Sequence, residues 1–101
     1  MLDNQPSAMF AKLDTPSVLI DIDVAERNVD RFQSFANKAQ ISVRPHIKTH
    51  KLPRLAKAQI KAGAVGITCQ KISEAEVMAN AGLDDILITY NILSVSKLER
   101  L

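Results

Sequence analysis

The chain of 101 residues has few residues of several types, and each shortage excludes a class of protein. Its single cysteine, Cys69, allows neither an internal disulfide nor a cysteine-based metal cluster. With one tyrosine, three phenylalanines and no tryptophan, it has few aromatic side chains to stack on nucleic-acid bases. No apolar run approaches the roughly 20 residues of a membrane-spanning helix, and the N-terminus lacks the pattern of a signal peptide. We therefore expect a cytoplasmic protein that binds neither membranes nor nucleic acid.

Acidic residues are absent from one continuous part of the chain. The whole chain has a net charge of +2, but residues 41–63 contain no Asp or Glu. The basic residues of this stretch are Arg44, Lys48, Lys51, Arg54, Lys57 and Lys61. Its centre is the segment Arg-Pro-His-Ile-Lys-Thr-His-Lys at residues 44–51, in which two histidines lie among three permanent cations. Such a concentration of positive charge predicts a local site for an anion.

Strand-like and helical patterns alternate along the sequence. The predicted strands are residues 17–23, 41–45, 65–70 and 85–90. The predicted helices are one from Asp23 to residues 38–40, then Pro53–Ala62, then 74–81, and one that begins at Ser94. Strands and helices that alternate at this spacing predict βα units and a parallel sheet. Residues 1–14 are expected to be a loose leader, and residues 15–101 to be one incomplete domain.

Capping residues predict where the helices begin and end. Asp23 is the expected cap of the first helix. Ser73 and Glu76 have the spacing of a capping box for the third helix. Gly63 and Gly82 are placed to end the second and third helices.

Alternate side chains of a strand point to opposite faces of its sheet. The strand positions expected to face the helices are Ile41, Val43, Pro45, Ile47, Val65, Ile67 and Cys69. Phe32 and Phe35 of the first helix are expected to join the same core. The opposite face becomes polar toward the carboxyl ends of the strands, at Lys48, Gln70 and Asn91. Because parallel α/β folds bind ligands at these ends, we predict a binding site there.

Lys48 is the candidate of most interest at this end of the sheet. Desolvation and the neighbouring cation Arg44 would favour its neutral amine, which is a nucleophile toward aldehydes. The ordinary alternative is a solvated surface lysine. His46 is expected to be a hydrogen-bonded interior group, and His50 is either a solvated loop residue or a neighbour of a phosphate. Two histidines alone are too few ligands for a metal. Cys69 is expected to be a small core side chain.

Three stretches of the sequence together resemble a known family. They are Thr15-Pro16 followed by Val18-Leu19-Ile20-Asp21, then segment 44–51, then Gly66-Ile67-Thr68-Cys69-Gln70-Lys71-Ile72-Ser73-Glu74-Ala75-Glu76. In this order they resemble the family of D-threonine aldolase and eukaryotic-type D-serine dehydratase. That family has an alanine-racemase-like N-terminal barrel and uses pyridoxal 5′-phosphate (PLP). The resemblance runs from about residue 15 to the end of the chain.

The resemblance implies both a fold and a cofactor. The implied fold is α/β, the N-terminal part of a PLP-binding (βα)8 TIM-type barrel, truncated after about three barrel βα units. In the family, the lysine of the Arg-Pro-His-x-Lys segment carries PLP as a Schiff base, and Lys48 matches it. Arg44, His46, Gln70 and Asn91 are then predicted to be further cofactor-binding residues. A divalent metal is also implied, with its ligands, much of the phosphate site and a β-rich domain expected beyond residue 101.

The implied reaction is that of a lyase. D-Threonine aldolase-type cleavage would convert a D-3-hydroxy amino acid to glycine and an aldehyde, and D-serine dehydratase-type β-elimination is an alternative. A non-enzymatic PLP-binding protein of vitamin B6 homeostasis is another alternative, although such proteins resemble a Ser-Lys-Thr-Lys pattern that is not present here. A nucleic-acid or phosphate-binding module is the least favoured.

The resemblance also carries expectations about partners. A small D-amino acid is the expected substrate, and a homodimer is left open because barrel proteins of this group are often dimers. We expect this chain on its own to be an inactive fragment of a larger protein.

Overall fold

Helices alternate with short parallel strands in the computed structural model, which describes residues 8–101. The elements, in chain order, are α1 (Ile22–Lys38), a 3₁₀ turn (Ile47–Thr49), α2 (Pro53–Ala62), β1 (Ile67–Cys69), α3 (Ile72–Asn80), β2 (Ile86–Ile88) and α4 (Val95–Leu98). β1 and β2 pair in parallel, which confirms the predicted α/β class. Of the predicted leader, residues 1–7 lie outside the described part, and residues 8–14 contain turns without a helix or strand.

The segment before α1 differs from the prediction. Residues 17–21 form no strand, and no described strand runs beside them to pair with their backbone, so the strand predicted at 17–23 is wrong. The cap of α1 is Asp21, whose Oδ1 accepts hydrogen bonds from the N–H groups two and three positions further on, at 3.1 and 3.2 Å. The predicted cap, Asp23, lies instead in the first turn of the helix.

The buried side of α1 also differs from the prediction. Phe32 and Phe35 were expected in the core, but they are 61% and 69% exposed. Gln33 and Ala36 are buried instead. The reason is the rotation of the helix about its axis: Gln33 lies against Gly63, where a Cβ atom would be 3.4 Å from the Gln33 side chain. The Gln33 side chain also donates to Oδ1 of Asn37 at 2.9 Å, so its amide has a partner in this buried position.

In the structure, the predicted strand at residues 41–45 is an extended segment. It runs beside the start of β1 but forms no regular ladder of hydrogen bonds with it. The Val65 N–H donates to the Val43 carbonyl at 2.9 Å, and the Thr68 N–H donates to the Pro45 carbonyl at 2.8 Å. Pro45 has no N–H to donate, which limits the ladder on this side. The segment is therefore the third parallel member of the layer.

The boundaries of the second and third helices were partly predicted. α2 spans Pro53–Ala62 as expected, and Gly63 follows it with φ +127°, a conformation that favours glycine. α3 begins at Ile72, earlier than predicted, so Ser73 lies inside the helix and forms no capping box. Gly82, with φ +96°, follows the end of α3.

The remaining elements are present in shorter forms than predicted. The strands expected at residues 65–70 and 85–90 are three residues each, as β1 and β2. α4 is preceded by Ser94 as expected, but the Ser94 side chain makes no capping hydrogen bond.

The core lies between β1 and the helices on one side of it. Its buried members are Ile47, Ala56, Ile67, Cys69, Met78 and Leu83. The predicted helix-facing positions Ile47, Ile67 and Cys69 are confirmed, whereas Val65 precedes β1 and is 49% exposed. Burial raises the pKa of the Cys69 thiol, as does the negative charge of Glu74. Cys69 is thus a packed core side chain, as predicted.

The layer is thin for its length. Its radius of gyration is 17.6 Å, whereas a compact domain of this length has about 13 Å. Its smallest dimension is 21 Å, about one layer of helices on one layer of strands. Within the described residues no helix combines the length and the apolar character that crossing a membrane requires. The sheet face opposite the helices, which carries the candidate residues, is not covered by another layer of the described chain.

Candidate functional site

Lys48 lies in the 3₁₀ turn that ends the extended segment beside β1. The preceding residue, Ile47, is fully buried and anchors the turn in the core. The Lys48 N–H donates to Nδ1 of His46 at 3.2 Å, which makes His46 the cap of the turn. The Lys48 side chain is exposed. Its backbone is therefore fixed while its amine stays accessible.

His50 and Lys51 complete this turn. The Ile47 carbonyl accepts hydrogen bonds from the N–H groups of His50 at 3.2 Å and Lys51 at 2.7 Å. Both ring nitrogens of His50 have partners, since Nδ1 accepts from the Leu52 N–H at 2.9 Å and Nε2 lies 3.1 Å from Oε1 of Gln59. His50 is therefore not the solvated loop residue of one expectation, because its ring joins the turn to α2. The other expectation, a neighbour of a phosphate, stays a prediction.

The register of the strands shows which candidate residues lie side by side across the sheet. His46 pairs with Thr68 through a parallel bridge, and Thr68 lies opposite Leu87. Lys48 and Gln70 follow two positions later in their own segments, at the carboxyl ends. The structure therefore brings His46, Lys48 and Gln70 to neighbouring positions at one end of the sheet.

Arg44 lies two positions before His46, nearer to the amino end of the parallel segments. Its Nη1 donates to Oδ1 of Asp85 at 2.7 Å and lies 3.3 Å and 3.4 Å from the carbonyl oxygens of Asp85 and Ile67. The hydrogen bond from Arg44 lowers the pKa of the Asp85 carboxyl. Asp85 precedes β2, so Arg44 has its partner at the amino end, away from Lys48.

Glu74 is a buried acid that sequence reasoning did not place at the site. Its Oε1 accepts a hydrogen bond from the Gln70 N–H at 2.8 Å, and its Oε2 lies 3.7 Å from Nζ of Lys51. The Glu74 side chain is only 6% exposed. Its position in the sequence, four residues after Gln70 in a helical first turn, was the available signal.

Asn91 is the predicted site residue that follows β2. It lies in the exposed loop between β2 and α4. Within the described residues it forms no hydrogen bond with Arg44, His46, Lys48 or Gln70.

The described residues suit one of the two expected cofactors. Within residues 8–101, Nζ of Lys48 takes part in no ion pair and no hydrogen bond, so the amine is available to an aldehyde such as PLP. No group of three or more His, Cys, Asp or Glu side chains in the same part of the chain is arranged to hold a metal ion. These residues fit the attachment of PLP, and by themselves they do not fit a divalent metal.

Comparison with known families and structures gives concordant matches. The model of the alanine racemase N-terminal domain matches residues 20–101. A crystal structure of D-threonine aldolase from Filomicrobium marinum is 43% identical, with a TM-score of 0.83 over 87% of this chain and 24% of that chain. The D-threo-3-hydroxyaspartate dehydratase of Delftia sp. HT23 is 41% identical, with a TM-score of 0.76 over 81% of this chain and 22% of that one.

Curated relatives carry the same kinds of name. D-Threonine aldolase of Arthrobacter sp. is 40% identical over 93% of this chain. The 3-hydroxy-D-aspartate aldolase of Paracoccus denitrificans is 36% identical over 95% of this chain. D-threo-3-hydroxyaspartate dehydratase of Delftia sp. is 45% identical over 74% of this chain. The chain spans about a quarter of the length of the first two and about a fifth of the third.

Proposed function

The chain belongs to the family of the alanine racemase N-terminal domain, and on this premise we propose that it is the PLP-attachment segment of a lyase for D-3-hydroxy amino acids. The single observation that carries the proposal is the position of Lys48. It combines an accessible amine, with no ion-pair partner in the described residues, and a fixed backbone at the carboxyl end of parallel strands. That end is where parallel α/β folds perform their chemistry.

Lys48 is proposed to act through its Nζ atom. PLP, when bound, supplies an aldehyde that condenses with an amine with loss of water, and a protonated ring that withdraws electrons from the bond to be broken. Lys48 provides the amine that holds the cofactor. In the PLP-loaded protein Nζ of Lys48 would also be placed to accept a proton from the substrate or to return one. His46 supports this role by fixing the Lys48 backbone.

The favoured reaction is aldol cleavage. The bond between Cα and Cβ of the substrate breaks, the β-hydroxyl loses its proton, and Cα gains one, so that a D-3-hydroxy amino acid yields glycine and an aldehyde. Two of the three curated relatives named above are aldolases, and each matches over more of this chain than the dehydratase does.

Dehydration is the second candidate, and one observation favours it. The relative named as a dehydratase has the higher identity, 45%, although over 74% of the chain. In that reaction the substrate loses its Cα proton and its β-hydroxyl, and the product hydrolyses to a keto acid and ammonia. The two candidates share the Lys48 site and differ in the bond that is broken.

Other parts of the proposal concern the whole protein. We propose that the protein is cytoplasmic, that it forms a homodimer, and that this chain on its own is inactive. The remaining contacts to PLP and the ligands of any divalent metal are proposed to come from residues outside this segment. No step is assigned to a metal.

Trapping of the cofactor tests the role of Lys48. The full-length protein is mixed with PLP, reduced with borohydride and digested, and the modified lysine is identified by mass spectrometry. We expect the label on Lys48 and its loss in Lys48→Ala, with Lys57→Ala, at an exposed lysine of α2, as the matched control. Equal labelling of wild type and Lys48→Ala would overturn the assignment.

Product analysis separates the two reactions. D-Threonine and D-threo-3-hydroxyaspartate are each incubated with the PLP-loaded protein, and glycine and ammonia are measured together. Glycine with an aldehyde supports the aldolase, and ammonia with a keto acid supports the dehydratase. Formation of neither product would overturn the lyase proposal for these substrates.

A further inference from the structure

We propose that Glu74 is a positioning residue that fastens the turn carrying Lys48 to the end of β1. The inference rests on the proposed function, because it assigns Glu74 to the support of the same PLP site. Its basis is the pair of contacts that the two carboxylate oxygens make. Oε1 accepts from the Gln70 N–H at 2.8 Å, and Oε2 lies 3.7 Å from Nζ of Lys51.

Burial makes these contacts informative. A carboxylate that is taken out of water is strongly destabilised unless it is hydrogen-bonded or paired. The Glu74 side chain is 6% exposed, whereas its neighbour Glu76 in the same helix is 41% exposed. An acid that served only the helix dipole of α3 could stay in solvent, as Glu76 does. The buried position of Glu74 therefore requires the partners that it has.

The two partners belong to two different strand ends. Gln70 directly follows β1, and Lys51 lies two residues after the turn that contains Lys48. The Lys51 backbone has φ +55°, in the left-handed region that is costly for a residue with a side chain. Its N–H donates to the Ile47 carbonyl at 2.7 Å, which closes the turn. The Glu74–Lys51 ion pair helps to hold Lys51 in that conformation.

The position of Lys48 depends on both connections. Its turn is held from within by His46 and Ile47, and it is tied to β1 through Lys51, Glu74 and Gln70. Without Glu74 the turn keeps its inner contacts and the backbone hydrogen bond from Thr68 to Pro45, and it loses the side-chain connection between Lys51 and Gln70. The expected consequence is a Lys48 amine that still reacts with PLP but is less well placed to do so.

The test uses the full-length protein and three variants. Glu74→Ala removes both contacts, Glu74→Gln keeps an oxygen for the Gln70 N–H and loses the charge, and Lys51→Met removes the ion pair alone. Glu76→Gln is the matched control, because Glu76 lies in the same helix and pairs with Arg100 in the exposed part of the chain. Thermal unfolding of each variant identifies any loss that reflects general stability.

Two measurements test whether Glu74 connects the Lys48 turn to the end of β1. Hydrogen exchange of the Gln70 amide without PLP is expected to be faster in Glu74→Ala, because its acceptor is lost, and unchanged in Glu76→Gln. The dissociation constant for PLP is expected to rise about tenfold in Glu74→Ala, which corresponds to the loss of one hydrogen bond to a charged group. Glu74→Gln and Lys51→Met are expected to show smaller rises, and their combination no more than either variant alone.

The outcomes separate this inference from the proposed function. If wild type takes up PLP at Lys48 and all Glu74 variants bind it equally well, the positioning role is wrong and the proposed function stands. If wild type does not take up PLP at Lys48, both are wrong. Should Glu74→Ala fail to fold, Glu74→Gln and Lys51→Met decide in the same way.

Discussion

The guanidinium of Arg44 reaches Asp85 across Gly66, and Nη1 of Arg44 lies 2.7 Å from Oδ1 of Asp85. A Cβ atom added at Gly66 would be 2.2 Å from Nη1 of Arg44 and 2.7 Å from the Asp85 carbonyl oxygen. The missing side chain at Gly66 is therefore what allows an arginine from one segment to pair with an aspartate beside β2. The prediction that Arg44 contacts the cofactor is untested, but the structure gives its guanidinium another partner.

Gly66→Ala is expected to destabilise the full-length protein by about 1–3 kcal/mol, the usual cost of forcing extra atoms into a packed site. The Arg44 side chain can move aside, but the Asp85 carbonyl belongs to the backbone and cannot do so without shifting β2. Chemical denaturation measures the loss. Gly82→Ala is an informative comparison, because a Cβ there meets nothing within 4 Å and only its φ of +96° is unfavourable. An unchanged midpoint for Gly66→Ala would contradict the close contact.

The Arg44–Asp85 pair is expected to make the free energy of unfolding depend on pH in the acidic range. The pKa of the Asp85 carboxyl is lowered in the folded protein by the hydrogen bond from Arg44. The stabilisation is therefore present above the unfolded pKa of about 3.9 and is lost as the pH falls through the lower folded pKa.

Asp85→Asn isolates this contribution. The difference in free energy of unfolding between wild type and Asp85→Asn should be constant near neutral pH and shrink below about pH 3.9. It should also decrease with added salt, because Asp85 is 59% exposed in its side chain. A difference that grew on acidification would contradict the pairing.

The cap of α1 supplies a comparison between two acids two positions apart. Asp21→Ala is expected to lower the free energy of unfolding by about 1 kcal/mol, since its Oδ1 accepts from two otherwise unpaired N–H groups. Asp23→Ala is expected to cost less, because Asp23 contributes only a charge in the first turn. Denaturation of the two variants under identical conditions measures the order, and the reverse order would favour the cap predicted from sequence.

Some features of the fold were predictable from the sequence and others were not. α2 was predicted to the residue because both of its ends have local causes: Pro53 has its φ fixed by its ring, and Gly63 readily adopts the positive φ that ends the helix. The cap of α1 and the core role of Phe32 were mispredicted for a different reason. Both depend on how α1 is rotated and on which backbone precedes it, and an apolar spacing does not determine either.

The residues of the candidate site also differ in how far the sequence made them predictable. Lys48 was predicted from its motif and from its place after a strand-like run, and the structure puts it at the carboxyl end of the parallel segments, while its role stays a prediction. Asp85 and Glu74 were missed as partners because each is distant in sequence from the basic residue with which it pairs. The separation exceeds 20 positions in both pairs and is 41 positions for Arg44 and Asp85. Such pairs follow from the register of parallel segments, which the predicted strands did not define.

Cys69 provides a prediction at alkaline pH. Its thiol is fully buried in the core, and burial raises its pKa in the folded protein. The folded state thus keeps its proton at a pH where the unfolded thiol, with a pKa of about 8.5, already ionises. The stabilisation is present below that pH and is lost as the pH rises toward the folded pKa.

Cys69→Ala is the matched variant for this effect. It is expected to cost about 1 kcal/mol at neutral pH for the lost core contacts, and that cost should decrease above about pH 8.5 because only wild type has a thiol to ionise on unfolding. Denaturant titrations of both proteins between pH 7 and 10 measure the difference, and all other titrating groups cancel in it. A cost that stayed constant over this range would contradict a raised pKa. Rapid alkylation of the native protein by iodoacetamide would contradict the burial itself, since a buried thiol reacts only when the core opens.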